Sequence, residues 1–211
     1  MLLNGVRRAA IAASTGSDQA GCSGLAGGGG LAGGSGQAGN GGGKEMERTM
    51  ACSLRDSVHL VSDPKNLDAS VEEVFSLMLG VNCRRYTGPV EIAEPESVTA
   101  VVGFGGLLSG ACVFRSGASA AIKIAAHMTG MEFTEVDDTV KDGIGELCNM
   151  LAGAWKGKVP DLAANCGLSI PAVITGQNYT LHVQAPEFKL HHTFKFDDSS
   201  FEVTIICDGL Q

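Results

Sequence analysis

The sequence predicts an α+β sandwich, a largely antiparallel sheet with helices packed on one face. Three observations lead there. A compositional break near residue 50 separates a glycine-rich N-terminal stretch from a chain of ordinary domain size. Two hairpin patterns rich in β-branched and aromatic residues follow, at Val98–Phe114 and Leu190–Cys207. Helical apolar stripes lie before and between them.

Of the 30 glycines in the 211 residues, 15 fall in residues 1–50. Glycine loses the most backbone freedom on ordering, and this stretch offers few large side chains to bury in return. Residues 1–55 are therefore read as a disordered tail and residues 56–211 as one folded domain. The run Ala9–Ala13 after two arginines is shorter than the roughly 7–15 apolar residues of a secretory core, so a signal peptide is rejected. Met46 and Met50 are alternative starts that would remove the tail.

The first helix is expected from Ser70-Val71-Glu72-Glu73, which has capping-box form, with Asp68 as an alternative cap. Val71, Val74, Phe75, Met78 and Leu79 then make one stripe, and Gly80 ends it. Residues 81–96 read as loop with a short strand. Val98–Phe104 and Leu107–Phe114 form a hairpin about Gly105-Gly106. A phosphate-binding reading of Gly103-Phe104-Gly105-Gly106 fails, because Leu108 stands where Gly-x-Gly-x-x-Gly needs glycine. A second helix spans Ala118–Met128 and ends at Gly130. A third begins at Asp137-Asp138, where acidic side chains suit the positive end of the helix dipole, and runs to about Lys158 before Pro160. Strands follow around Leu168–Thr175 and Tyr179–Val183, then the last hairpin, Leu190–Phe196 and Phe201–Cys207 about Asp197–Ser200.

Composition excludes several function classes. Residues 51–211 carry 11 Lys and Arg against 20 Asp and Glu. A surface so acidic repels phosphate backbones, so nucleic acid is excluded as a partner. No stretch reaches the roughly 18 apolar residues of a membrane span. The seven cysteines include no Cys-x-x-Cys pair, which reads as free thiols in the cytoplasm. The adjacent His191 and His192 point to opposite faces of a strand, so no metal site is expected.

The third helix is the distinctive segment. At about 100° per residue, Val140, Ile144, Leu147, Leu151, Ala154 and Trp155 form its core face. Asp142, Glu146, Asn149 and Gly153 lie opposite, with Glu146 and Asn149 one turn apart. Gly145, Ala152 and Gly153 leave little bulk around the pair. Each glycine costs such a helix about 1 kcal/mol relative to alanine, which points to a need for close approach. Alone, Glu-x-x-Asn recurs by chance and is no more than a solvated face.

The longer pattern is more specific. Asp142-x-x-x-Glu146-x-x-Asn149, then Met150-Leu151-Ala152-Gly153 and Ser169-Ile170-Pro171-Ala172-Val173, resembles the signature of the CheC/CheX/FliY family. The likeness extends over roughly residues 68–207. A single Glu-x-x-Asn helix resembles the CheX branch, although the step from Asn149 to Pro171 is one residue shorter than the family pattern. The resemblance implies a CheC-like α/β sandwich and a phosphatase acting on the aspartyl-phosphate of a CheY-like receiver domain. It implies Asn149 as the residue that orients the attacking water and Glu146 as the partner of the receiver's lysine, together the catalytic pair. Asp142 either contacts the partner or stabilises the helix start. Met150 either packs on the partner or belongs to the rim, and Gly153 permits close approach. No cofactor of its own is expected, Mg²⁺ being supplied by the receiver. The resemblance also implies a homodimer joined through strands, and the last hairpin, with Phe194, Phe196 and Phe201, is either its edge or plain core. The alternative to the enzyme is a receiver-binding or flagellar-switch module without turnover.

Overall fold

A computed structural model describes residues 58–88, 96–177, 179, 182 and 186–210. The expected tail, residues 1–55, and most of the strand expected at Tyr179–Val183 lie outside them. In chain order the elements are α1 (Val58–Val61), α2 (Pro64–Val74), a π-turn (Phe75–Leu79), β1 (Cys83–Tyr86), β2 (Ser97–Gly106) and β3 (Leu108–Gly117). Next come α3 (Ala118–Thr129), α4 (Asp138–Gly157), α5 (Pro160–Asn165), β4 (Cys166–Leu168), β5 (Ala172–Gly176), β6 (Phe188–Phe196) and β7 (Ser199–Leu210). The strands form one antiparallel sheet in the order β1-β6-β7-β3-β2-β4, and β5 also pairs with β2. The α+β sandwich expected from the sequence is the fold observed.

Strand alternation builds the core. Val98, Ala100, Val102 and Phe104 of β2, Cys112 and Phe114 of β3, Phe201, Val203 and Ile205 of β7, and Phe194 and Phe196 of β6 are all buried. Against them pack Leu67, Val71 and Phe75, Ile124 of α3, and Ile144, Leu147, Leu151 and Trp155 of α4. Phe75 stacks on Phe201 with ring centroids 4.6 Å apart, and Trp155 meets Phe104 at 5.2 Å. The last hairpin is therefore interior: β6 lies between β1 and β7, and its phenylalanines are core rather than an edge.

The first helix differs from its expectation. It starts upstream of Ser70, because Asp63 caps it: the Lys65 N–H donates to Asp63 Oδ1 at 2.9 Å and Pro64 occupies the first turn. Ser70 is buried in mid-helix and donates to the Asn66 carbonyl at 2.6 Å, a back-bond rather than a cap. Asp68 is no cap either. It accepts from Arg85 at 3.4 Å and pairs with Nδ1 of the buried His192 at 2.6 Å. His191 faces the other way, on Thr204 at 2.9 Å. Met78 leaves the core stripe because the helix widens into the π-turn, closed by the Gly80 N–H on the Phe75 carbonyl. The extra residue rotates Leu77 and Met78 outward while Leu79 stays buried.

The first hairpin turns one residue late. Gly105 and Gly106 remain in β2 and pair with Gly167 and Cys166 of β4. Gly106 has φ +112, and a Cβ there would lie 2.3 Å from the Asn165 carbonyl oxygen, so no other residue fits. The second hairpin closes tightly over Asp197 and Asp198, with Ser199 already in β7. Lys123 of α3 reaches over to Asp198 and holds its carboxyl below the usual range.

Candidate functional site

Helix α4 begins at Asp137, whose Oδ1 accepts from the Val140 N–H at 2.8 Å. From that start the sequence sets the rotation of the helix. Val140, Ile144, Leu147, Cys148, Leu151 and Trp155 are all buried against the sheet. Asp142 and Glu146 emerge exposed, and Asn149 and Gly153 are half-buried beside them. Met150 is also half-buried and packs against the core, so it forms the margin of this face. The structure thus brings Asp142, Glu146, Asn149 and Gly153 onto one outward strip of α4.

Neither Glu146 nor Asp142 has an ion-pair partner among the described residues. The Asn149 carboxamide likewise makes no hydrogen bond to another described residue. An acid without a partner is free to meet a cation from outside, and a free carboxamide both donates and accepts. No group of three or more His, Cys, Asp or Glu capable of holding a metal occurs among the described residues. The buried thiols are chemically quiet. Burial, with a lesser push from Glu72, raises Cys83 to about 12. Cys112 is raised by its hydrogen bond with Cys148 and by burial.

One flank of α4 departs from expectation. Gly145 and Ala152 are buried and open nothing to an approaching partner. A Cβ on Gly145 would lie 3.3 Å from both Pro171 Cβ and Val173 Cγ2. The glycine is there because the edge strand packs directly on the helix. That strand is β4 and β5 together, interrupted by a bulge. Phe104 pairs with Leu168 and Val101 with Ala172, so Val102 and Gly103 of β2 stand opposite three residues, Ser169, Ile170 and Pro171.

The bulge is pinned to β2. The Ser169 N–H donates to the Gly103 carbonyl at 2.9 Å, and the Gly103 N–H donates to Ser169 Oγ at 2.8 Å. Gly145, Asn149 and Gly153 form one row at steps of four along α4. Pro171 touches one end of this row, and Leu168 Cδ1 lies 4.0 Å from a Cβ built on Gly153 at the other. Ser169 and Ile170 are therefore level with Asn149 along the helix axis. The sequence pattern contained this segment but gave no sign of its position. Only the pairing register does.

Known proteins share this fold. A family model, chemotaxis phosphatase CheX, matches residues 98–195. The CheY-P phosphatase CheX of Thermotoga maritima is 30% identical over 115 residues, 53% of this chain and 74% of that protein. CheX of Vibrio vulnificus has the same fold, with TM-score 0.58 at 18% identity over 68% of this chain and 94% of that one. CheX of Borrelia burgdorferi, solved as a complex with CheY, BeF3 and Mg²⁺, gives 0.55 at 19% identity over 69% and 97%. The chain belongs to the CheX family of chemotaxis phosphatases.

Proposed function

We propose that this protein is a phosphatase of a CheY-like receiver domain, hydrolysing its aspartyl-phosphate. The observation that carries the reading is the exposed Glu146, unpartnered among the described residues, and the adjacent Asn149, on the helix whose opposite face is buried against the sheet. The Thermotoga maritima relative is a CheY-P phosphatase, and the Borrelia burgdorferi protein assembles with CheY.

In the reaction a water oxygen bonds to phosphorus as the bond from phosphorus to the aspartyl oxygen breaks. The carboxylate leaves, and inorganic phosphate departs. Such a transition state is loose and in line, so the enzyme's task is positioning and charge compensation. Asn149 accepts a hydrogen bond from the attacking water and donates to the phosphoryl group. Glu146 binds the receiver's lysine and fixes the depth and register of insertion. Gly153 keeps the strip low enough for α4 to approach, and Asp142 contacts the partner at its N-terminal end. Met150 contributes at the margin. The Mg²⁺ that neutralises the phosphoryl oxygens belongs to the receiver.

The protein works in the cytoplasm, where receiver domains are phosphorylated, and no helix among the described residues is long and apolar enough to cross a membrane. It pairs as a homodimer through an outer strand, either β1 or the β4–β5 edge, each of which has a sheet neighbour on one side only among the described residues. Sedimentation at several concentrations reads that state, and a monomer at all of them removes it.

The decisive experiment follows the decay of radiolabelled aspartyl-phosphate on receiver domains with wild-type protein and with Asn149→Ala. Acceleration by wild type alone supports both the activity and the assigned residue. Binding to the phosphorylated receiver without release of phosphate would make the face a docking site, the non-catalytic alternative.

A further inference from the structure

Ile170 is 90% exposed, the most exposed large apolar side chain among the described residues. It is not on a loose loop. Its preceding residue is tied to Gly103 through both backbone and side chain, at 2.9 and 2.8 Å, and Ser169 Oγ also donates to the Ile170 carbonyl at 3.0 Å. The following proline restricts Ile170 to extended backbone and packs against the Gly145 row. The side chain is thus presented at a bulge, held from both sides, level with Asn149. Holding an isoleucine rigid in water gains nothing for the isolated fold, and bulges beside active sites commonly re-aim a side chain.

We infer that Ile170 is a receiver-binding residue for the phosphatase reaction, seating on an apolar patch of the receiver beside its phosphorylated aspartate. The inference rests on the proposed function and deepens it. Ile170 stands at the level of Asn149 along α4, between the Pro171 and Leu168 contacts with the helix, so a receiver seated on Glu146 and Asn149 reaches the bulge. A branched, pre-held side chain loses little freedom on binding, and covering it removes water from one side of the carboxamide. Glu146 sets the charge register, and Ile170 sets the contact on the flank where Asn149 lies. Receivers with a polar residue at the facing position are poor substrates.

The test uses the full chain with phosphorylated receiver and compares wild type, Ile170→Ser and Ile170→Leu for phosphate release and thermal unfolding. Full burial of an isoleucine corresponds to about ten- to a hundredfold in affinity, so Ile170→Ser raises KM by about that factor with kcat little changed. Ile170→Leu restores most of the loss, and both variants melt with wild type because the side chain is exposed. An unchanged KM in Ile170→Ser, with wild type turning over normally, overturns the inference and leaves the activity standing. A loss confined to kcat also overturns it. If wild type binds the phosphorylated receiver without turnover, the activity fails. Calorimetric titration then decides the inference alone: weaker binding by Ile170→Ser sustains it and equal binding ends it.

Discussion

Replacing Gly153 by alanine adds one methyl group where the nearest heavy atom, Leu168 Cδ1, is 4.0 Å away, an ordinary contact. The change removes backbone freedom from the unfolded chain and creates no clash. Glycine to alanine inside a helix gains about 1 kcal/mol, and for a domain of this size that raises Tm by roughly 2–4 °C. The same substitution at Gly145, two turns earlier on the same row, has the same propensity gain but a different neighbourhood. Its methyl group meets Pro171 Cβ and Val173 Cγ2, each at 3.3 Å. A proline ring carbon cannot swing aside, a valine methyl in a strand moves only by changing a restricted χ1, and the segment is fastened to Gly103. Overpacking of this kind costs about 1–3 kcal/mol, so Gly145→Ala melts below Gly153→Ala by a difference of that size. Far-UV circular dichroism melts of the three proteins, with calorimetry to confirm a two-state transition, measure it. If Gly145→Ala matched or exceeded Gly153→Ala, the edge strand would not lie on the helix, and the placement of Ile170 beside Asn149 would fall with it. Activity separates the two roles. Gly153→Ala, the more stable variant, should show a higher KM for phosphorylated receiver because the added methyl group stands on the approach surface.

Other consequences are as direct. Asn149→Ala should stabilise the helix by roughly 0.5 kcal/mol, yet slow phosphate release by about a hundredfold; equal rates in single-turnover decay would remove Asn149 from the mechanism. Asp68→Ala leaves His192, 5% exposed, without the carboxylate that meets its Nδ1, and urea unfolding should show a loss of about 1–3 kcal/mol. Lys156 donates to the Ala163 and Cys166 carbonyls at 3.1 and 2.8 Å, closing α5 onto β4. Lys156→Met should therefore cost about 1–2 kcal/mol in the same assay. Burial raises the folded thiols of Cys83 to about 12 and Cys207 to about 11 from an ordinary 9.0. The unfolded chain ionises first, so the stability held by these thiols is complete below pH 9 and is lost as pH rises toward 11–12. Urea midpoints taken across that range should fall, and less steeply in Cys83→Ala; parallel curves for the two proteins would contradict the burial.

Much of this was legible from residue pattern. α3, α4 and both hairpins carry their periodicity openly, and the outward strip of α4 follows from rotation about one axis. The start of α2 lies upstream of Ser70 because Ser70-x-x-Glu73 satisfies a local rule that Asp63-Pro64 satisfies better, with an actual bond to Lys65. Met78 leaves the stripe because a π-turn breaks the 100° step on which any helical stripe depends. Gly145 departs from expectation for a different reason. A small residue on a helix reports close approach, but not what approaches, and here it is the protein's own edge strand. Register between Phe104 and Leu168, or Val101 and Ala172, is a long-range choice, and the one-residue offset between those pairs leaves no mark in the local sequence.

The tie between Ser169 and Gly103 spans 66 residues of chain. All of α3, α4 and α5 is made between its two ends. Helix α4 takes its rotation, and with it the Glu146/Asn149 strip, from the central strands β2 and β3 on which Trp155 and Cys148 pack, whereas the bulge is held through β2 alone. The two halves of the site belong to different tiers of local stability. An edge strand is held on one side, so it opens at lower free energy than the helix it covers. Native-state hydrogen exchange should find Gly103 and Ser169 opening before the buried turns of α4, leaving a chain that still displays its polar pair but has lost the wall beside it.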